Sequence, residues 1–266
     1  MALIGLSTLY LNLSGVSYRE LLDELRRERD GVRMEVWELV DNGDYSLNKE
    51  RVKLLQTLVD EGYRFTVHCP YDITANLCHP NSGIRRNAIE KVKTSIDYAS
   101  DLEALAYVLH PGRRVKEGMD ERLAKGLHQQ SMVALLDYGD AAGIKVAVEN
   151  MPPGYQYFMV HPAEFEELSE TTGLDVKVAF DAGHAHIGGL VRSFLKKLSH
   201  KFAVVHVHDT RGGRDEHLNI GEGVIEWKYI VSELVGRGFS GIYIVEAIRE
   251  PFKSIEALKR LLTILY

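Results

Sequence analysis

Residues 203–209 read AVVHVHD, a short β-branched run that ends in polar side chains. The side chains of a strand point alternately to its two faces, so Val205 and Val207 share one face and His206 and His208 share the other. One face is therefore apolar, and the opposite face carries imidazoles near the end of the run. This pattern predicts a buried strand that delivers polar side chains to its carboxyl end.

Similar apolar runs are spaced along the rest of the chain, with longer helical patterns between them. The eight runs are LIGLSTL at 3–9, MEVWEL at 34–39, RFTVH at 64–68, AYVLH at 106–110, KVAVE at 145–149, VKVAF at 176–180, AVVHV at 203–207 and GIYIVE at 241–246. Helical patterns include residues 17–30 and 84–105. Alternation of strand and helix predicts a parallel sheet, and eight units favour an α/β fold closed into a (β/α)8 TIM barrel. A dinucleotide-binding sheet is disfavoured because no GxGxxG motif follows the first run.

Length and composition agree with such a barrel. The chain has 266 residues, and one complete α/β barrel takes roughly 250, so we expect a single domain over residues 1–266. Two cysteines, Cys69 and Cys78, are too few for a disulfide framework and favour a reducing, cytoplasmic setting. We interpret the opening segment as a strand and not a signal peptide, and expect no membrane association, because no apolar run approaches the ~20 residues of a membrane span. The net charge of -6 does not indicate a broad nucleic-acid footprint.

Polar side chains stand at the carboxyl ends of most of these runs, and alternation turns them toward the barrel lumen. These residues are Glu38, His68, His110, Glu149, Asp181, His206 and Glu246. Barrel enzymes build their active sites at this end of the strands. Charged groups in a lumen are costly unless they are paired or bound to metal, so the pattern indicates a site and not simple packing.

Two loops add further candidates. His184 follows Asp181 by three residues, and Asp215 and His217 are two residues apart, so they face the same way in an extended segment. The predicted metal ligands are His68, His110, Glu149, Asp181, His184, His206, Asp215, His217 and Glu246. Imidazole and carboxylate without thiolate suit zinc or manganese, and nine residues are enough for one to three divalent ions. His208 lies beside a better candidate and is not counted among the ligands.

Arginines near the same strand ends are candidates for substrate binding. Arg113 and Arg114 follow the HPG of the fourth run, and Arg211 and Arg214 lie in the loop after the seventh. Arginine binds phosphate bidentately, although a solvated charged surface is the alternative interpretation. We expect Arg113, Arg211 and Arg214 to contact substrate, and Glu38 is a further candidate.

Six segments in order carry a resemblance to a known family. They are VHCPYDITANLCHPNSGIRRNAIE at 67–90, LHPG at 109–112, VAVENMPPG at 146–154, FDAGHAHIGG at 180–189, HVHDTRGGRDEHLNIGEG at 206–223 and IVEAI at 244–248. Together they resemble the xylose isomerase-like TIM barrel superfamily. That superfamily contains sugar phosphate isomerases and epimerases and also the endonuclease IV family (AP endonuclease family 2).

The isomerase branch implies one ion, held by Glu149, Asp181, His206 and Glu246. Glu149 and Glu246 would then be catalytic, one removing a proton next to a metal-polarised carbonyl and the other returning it. The partner would be a small polyhydroxylated or phosphorylated substrate, and a homo-oligomer is compatible with this branch.

The endonuclease IV branch implies three zinc ions, with all nine ligand positions filled and Glu149 bridging metals. Such an enzyme is a phosphodiesterase acting on abasic DNA. Tyr71 matches a tyrosine of that family on a DNA-contacting loop.

Departures from both branches decide the expected activity. The loop WELVDNGDYSLN at 37–48 lacks the Arg/Gln-rich stretch that endonuclease IV inserts into DNA, and it carries Glu38 and Asp41. The segment GEGVIEWKYIV at 221–231 is similar to the isomerase version. Against this, Tyr155 stands where an epimerase would carry an acidic substrate contact. We therefore expect a metal-dependent sugar isomerase or epimerase, with the endonuclease IV-like phosphodiesterase as the alternative.

Overall fold

Eight parallel strands close into a barrel in chain order. The computed structural model describes residues 2–12, 15–29, 33–43, 46–114 and 119–265. The strands are β1 (Leu3–Ser7), β2 (Val36–Val40), β3 (Arg64–His68), β4 (Tyr107–Leu109), β5 (Val146–Glu149), β6 (Lys177–Asp181), β7 (Phe202–Val207) and β8 (Ile242–Val245). β1 pairs with both β2 and β8, which closes the sheet. The predicted (β/α)8 barrel is confirmed.

Helices connect the strands on the outside of the barrel. They are α1 (Leu9–Asn12), α2 (Tyr18–Arg26), α3 (Lys49–Asp60), α4 (Tyr71–Thr74), α5 (Ser82–Asp101), α6 (Glu121–Ala141), α7 (Pro162–Thr172), α8 (Ala182–Ile187), α9 (Val191–Leu198), α10 (Trp227–Gly236) and α11 (Phe252–Leu265). α2 begins at a capping box between Ser17 and Glu20, which satisfies free backbone N–H groups. The predicted helix at 17–30 ends earlier, at Arg26, and its last position, Asp30, lies outside the described residues.

The apolar core has two layers, as the alternation of strand side chains requires. The lumen layer is made of small and β-branched side chains: Val36, Ala106, Val108, Ala147, Ala179, Val204, Ile242 and Ile244. Val205 and Val207 belong to the larger layer between strands and helices. The face assignments predicted for the seventh strand are therefore confirmed. With the lumen filled by these apolar side chains, the buried histidines and carboxylates of the strands, such as His68, Glu149 and Asp181, lie near the carboxyl ends, where the candidate site lies.

The first predicted strand is too long. β1 ends at Ser7, and Leu9 already begins α1. Thr8 lies between them, and its hydroxyl accepts a hydrogen bond from the backbone N–H of Val40 at 3.0 Å. Side-chain pairing of this kind competes with continuation of a strand. Among the described residues, no helix is both long and apolar enough to cross a membrane.

Candidate metal centre

The ends of five strands bring polar side chains into one buried cluster. His68, Glu149 and Asp181 are the last residues of β3, β5 and β6, His206 is the next-to-last residue of β7, and Glu246 directly follows β8. All five side chains are buried. Backbone pairing keeps neighbouring ends in register, and Asp181 pairs directly with His206. The cluster is therefore positioned by the barrel itself.

His206 lies at the centre of one group of ligand atoms. Its Nδ1 is 3.3 Å from Glu149 Oε1 and 3.5 Å from Glu246 Oε2. Asp181 Oδ2 is 3.7 Å from the same nitrogen. On the other side of the ring, Nε2 donates to Glu38 Oε2 at 3.3 Å. A carboxylate only accepts hydrogen bonds, so Nδ1 donates to Glu149 in the metal-free protein, and loss of that proton would leave a lone pair among the oxygens of three carboxylates.

A second group forms around the other oxygen of Glu149. Oε2 is 3.2 Å from His68 Nε2 and 3.0 Å from His110 Nε2. A hydrogen bond fixes the orientation of the His68 ring, because its Nδ1 donates to the backbone carbonyl of Cys69 at 2.9 Å. The Cys69 thiol accepts from the backbone N–H of His110 at 3.1 Å. Glu149 is thus shared between the second group and the one around His206.

A third group forms around Asp215, in the loop after β7. Its Oδ2 is 3.2 Å from His184 Nε2 and 3.1 Å from His217 Nε2. Each ring donates its remaining N–H to a backbone carbonyl: His184 to that of Asn150 at 2.9 Å, and His217 to that of Glu246 at 3.0 Å. A carboxylate only accepts hydrogen bonds, so in the metal-free protein the Nε2–H of each ring also donates to Asp215, and loss of that proton would leave a lone pair facing the carboxylate.

These arrangements fit divalent cations. Within the described part of the chain, five sets of three side chains place their ligand atoms within 4.8 Å of one another, including His68 with His110 and Glu149. Among the described residues, the buried atoms Asp215 Oδ1 and His110 Nδ1 have no hydrogen-bond partner, although buried polar atoms are nearly always paired. Imidazoles that face carboxylates, without thiolate, form a ligand set suited to zinc or manganese once the rings lose their protons.

The imidazoles of the third group have raised pKa values. Burial by itself lowers the pKa of His184, but Asp181 and Asp215 outweigh it and raise this pKa to about 10. Burial also lowers the pKa of His217, but Asp215 and Glu246 outweigh it and raise this pKa to about 9. Without a cation, these rings hold protons in the electrostatic field of the carboxylates. A site that holds protons in this way also attracts cations.

The two glutamates that line the cavity, Glu149 and Glu246, differ in pKa. Burial tends to raise the pKa of Glu149, but His110 and His206 hold it well below its usual range. Burial raises the pKa of Glu246 to about 7, and the charges of Glu38 and Glu149 add to this against the opposing effect of His206. One carboxylate is thus ionised at neutral pH, and the other exchanges its proton near neutrality.

A cavity of about 400 Å³ opens above the cluster. Its floor is made of candidate ligands, and its wall consists of Leu9, Tyr71, Met151, Pro152, Tyr155 and Tyr157. Tyr71, predicted to contact substrate, packs edge-on against His68 with ring centroids 4.9 Å apart and stacks on His110 at 5.4 Å. Glu38, the other acidic candidate, is fully buried beneath His206 and is not part of this lining. Asp41 is also buried, and it bonds Ser95.

The arginine candidates lie beside the cavity and not in it. Arg113 stacks over the Tyr157 ring at 5.3 Å. Arg211 pairs with Glu216 at 2.9 Å, and both line a second cavity of about 490 Å³ together with Arg214. This second cavity shares Asp215 and His217 with the first.

Two residues near the cluster were not among the predicted site residues. The side-chain oxygen of Asn150 accepts a hydrogen bond from the backbone N–H of Asp181 at 2.8 Å, and its side-chain nitrogen donates one to the backbone carbonyl of Asp181 at 2.9 Å. His208 is fully buried and approaches Asp181 through Nε2 at 2.9 Å. The sequence signal for His208 was present, since alternation places it on the same face as His206. The sequence does not single it out because His206, a stronger candidate, lies only two residues away.

The fold and the site define a class: (β/α)8 barrels that gather imidazoles and carboxylates at the carboxyl ends of their strands. The chain belongs to the xylose isomerase-like TIM barrel family, whose sequence model matches residues 28–264.

Relatives of this chain carry different names. The uncharacterized protein MJ1311 of Methanocaldococcus jannaschii is 29% identical over 244 residues, which cover 86% of this chain and 81% of that protein. The protein named "Probable endonuclease 4" of Acholeplasma laidlawii is 28% identical over 199 residues, covering 66% of this chain and 64% of that protein. The chain therefore spans less than two thirds of the endonuclease relative.

Solved structures show the same fold. A D-tagatose 3-epimerase-like protein superimposes with a TM-score of 0.89 at 26% identity, covering 98% of this chain and 97% of that one. The IolI protein with a bound zinc atom superimposes with a TM-score of 0.76 at 16% identity, covering 98% of this chain and 97% of that one.

Proposed function

We propose that this chain is a divalent-metal-dependent isomerase or epimerase of a small sugar or sugar phosphate. The observation that carries the proposal is the placement of Glu149 and Glu246. Both line the small cavity, and both approach His206 Nδ1, at 3.3 and 3.5 Å. Two carboxylates on the floor of one cavity are suited to remove a proton from a bound carbon atom and to return it.

The proposed ligands are the nine residues of the three groups, with Glu149 and Glu246 also catalytic. They are His68, His110, Glu149, Asp181, His184, His206, Asp215, His217 and Glu246. A bound divalent ion supplies polarisation of the substrate carbonyl, which makes the neighbouring C–H bond more acidic. β5 and the end of β8 hold the two carboxylates beside His206 Nδ1.

The two carboxylates are suited to different roles. His110 and His206 keep the pKa of Glu149 low despite its burial, so Glu149 is ionised and can accept a proton. Glu246, with a pKa of about 7, can carry a proton and release it near neutral pH. A catalytic group works best when its pKa lies close to the working pH.

The cavity suits a compact substrate. Its volume of about 400 Å³ lies within the range of small-molecule sites. Tyr71, Tyr155 and Tyr157 line the wall, and such rings can stack on the apolar face of a sugar while their hydroxyls bond its oxygens. Arg211 and Arg214, in the adjoining cavity, are the proposed contacts for a phosphate group on a longer substrate. Arg113 is a second proposed phosphate contact.

Solvent proton exchange tests the proposal. The protein is incubated with Mn²⁺ or Zn²⁺ and D-tagatose, D-fructose, L-ribulose or L-ribulose 5-phosphate in D2O, and deuterium next to the carbonyl is followed by NMR. We expect incorporation into at least one of these sugars, lost on chelation and restored by metal. Cleavage of abasic DNA without exchange on any of the sugars would overturn the proposal.

A second candidate function, phosphoester hydrolysis, is favoured by the number of ligand groups. Glu149 is shared between two groups, and its Oε1 is also 3.5 Å from His184 Nδ1, beside the third. One ion does not need three groups, whereas several ions together can stabilise both the attacking and the leaving oxygen of a phosphoester.

Metal counting and DNA cleavage separate the two candidates. Inductively coupled plasma mass spectrometry gives the ions per chain, and a duplex carrying one abasic site gives the nicking rate. Two or three zinc ions with efficient, metal-dependent nicking would establish hydrolysis. One catalytic manganese ion with sugar exchange and no nicking would exclude it.

A further inference from the structure

His208 is a buried imidazole within the cluster that none of the roles above uses. Its side chain is fully buried, and its ring stacks on that of His217 with centroids 4.1 Å apart. Its Nε2 lies 2.9 Å from Asp181 Oδ2 and 3.2 Å from Oδ1. Among the described residues, its Nδ1 has no hydrogen-bond partner. An imidazole buried with one nitrogen unpaired calls for an explanation.

The contact with Asp181 fixes the form of the ring. A carboxylate only accepts hydrogen bonds, so the Nε2–H of His208 is the donor to Asp181. The neutral ring then presents a lone pair at Nδ1. This is how metal-ligating histidines are held in proteins, with one nitrogen donating to a carboxylate and the other facing the ion.

The lone pair at Nδ1 faces a second unpaired acceptor. Asp215 Oδ1 lies 3.7 Å from His208 Nδ1 and, within the described part of the chain, also lacks a hydrogen-bond partner. This separation is too long for a hydrogen bond. Two ligands of one tetrahedral zinc ion, each about 2.0–2.1 Å from it, stand about 3.4 Å apart. Two acceptors at such a separation are placed to share a cation.

The surroundings of His208 hold the ring in this position. A Cβ atom at Gly183 would lie 2.1 Å from His208 Cε1 and 2.8 Å from each ring nitrogen. The absence of a side chain at Gly183, on α8, therefore makes room for the ring on one face. His217 stacks on the ring, and Asp181 holds its Nε2. The ring has little freedom to turn its lone pair elsewhere.

We propose that His208 is a further ligand of the cation held by Asp215, through Nδ1. That cation would then have four protein ligands: His184, His208, Asp215 and His217. In all three imidazoles, one nitrogen donates to the protein and the other faces Asp215. A fourth protein ligand fills the position that a catalytic zinc site keeps open. This inference rests on the proposed metal centre.

The test compares metal binding by three variants with that of the whole wild-type protein. His208→Asn removes the ligand, and Gly183→Ala displaces the ring while keeping the histidine. His200→Asn is a matched control at an exposed position of the short 3-10 helix before β7. Each metal-free protein is titrated with Zn²⁺ against a chelator and with Co²⁺, whose visible absorption weakens as its coordination number rises. Bound ions are counted by mass spectrometry, and circular dichroism checks the fold.

The expected result is a loss of at least about tenfold in the affinity for one ion in His208→Asn and Gly183→Ala. The four-coordinate Co²⁺ absorption should also weaken in both variants and stay unchanged in His200→Asn. If His208→Asn does not fold, the metal affinity and spectrum of Gly183→Ala test whether His208 is a ligand. Wild-type affinity and spectrum in the folded variants would overturn the role of His208 while leaving the metal centre intact. A wild-type protein that binds no divalent ion would instead overturn the proposed function itself.

Discussion

Glu38 lies directly behind His206, with Glu38 Oε2 3.3 Å from His206 Nε2 and both side chains fully buried. The same carboxylate oxygen accepts from the hydroxyl of Thr66 at 3.3 Å. A carboxylate behind a ligating imidazole fixes the orientation of the ring and makes it a stronger ligand. In the proposed metal centre, Glu38 would therefore act through His206, because its side chain does not line the cavity.

Replacing Glu38 by alanine should weaken metal binding. The His206 ring loses the group that orients it, so we expect affinity for the divalent ion to fall about 10–100-fold. The unpaired Nε2 should also lower the free energy of unfolding by about 1–3 kcal/mol. Chelator competition and denaturant unfolding measure the two effects. Glu35→Ala, at an exposed position just before β2, is the control, and equal affinities in the two variants would contradict the role of Glu38.

Glu149→Gln and Glu246→Gln should each reduce turnover about 10²–10⁴-fold, because each removes a group that transfers a proton. The fold should survive in both, since glutamine keeps the size of the side chain. Deuterium exchange into the sugar measures turnover, and circular dichroism of the metal-free proteins measures the fold. Glu170→Gln, exposed on α7, is the control. Wild-type exchange in both variants would mean that other residues carry the proton.

Metal uptake should strengthen as the pH rises. In the metal-free protein, burial lowers the pKa values of His184 and His217, but nearby carboxylates outweigh it. Asp181 and Asp215 raise the pKa of His184 to about 10, and Asp215 raises that of His217 to about 9. Below these values each ring must lose a proton before it can bind a cation. Affinity should therefore increase up to a pH of about 9–10 and then level off. Calorimetry in buffers of different ionisation enthalpy should show proton release at neutral pH, and affinity that is independent of pH would contradict this assignment.

The same shifts predict the stability of the metal-free protein. A folded-state pKa above the unfolded value of about 6.5 contributes stability that is complete below about pH 6.5. That contribution is lost as the pH rises through about 9 for His217 and about 10 for His184. Thermal unfolding after chelation should show the melting temperature falling over this range. The metal-loaded protein, whose rings are already deprotonated, should not share this decline.

Gly5→Ala should destabilise the barrel. Gly5 lies in β1, and a Cβ there would come within 2.7 Å of Ile244 Cδ1 and 2.8 Å of Val36 Cγ1 in the lumen. Overpacking of this kind costs about 1–3 kcal/mol. In Gly126→Ala, the matched control on α6, the new Cβ meets no atom of the described residues within 4 Å, so helix propensity should stabilise it by about 0.5–1 kcal/mol. Denaturant unfolding compares the two, and equal stabilities would show that the lumen can accommodate the methyl group.

The sequence alone determined the barrel and indicated most of the polar side chains that meet at the carboxyl ends of its strands. β-branched runs with a period of two appear eight times, and both the strands and the outward positions of Val205 and Val207 follow from that local pattern. Because parallel strands in a barrel end on the same face, polar residues at their ends could be predicted to meet. The members of the group around His206 follow from this rule, whereas His184, Asp215 and His217 are candidates from the loops after the sixth and seventh strands.

Tertiary structure decided what each of these side chains faces. Glu38 and Glu149 look alike in the sequence, each an acid near the end of a strand, yet one lies behind His206 and the other lines the cavity. His208 was discounted beside His206, and only the folded chain brings its Nδ1 to face Asp215. The period of a strand sets the face on which a side chain lies, but the groups opposite it come from distant segments. Their distances depend on how the barrel closes, and no local pattern records this.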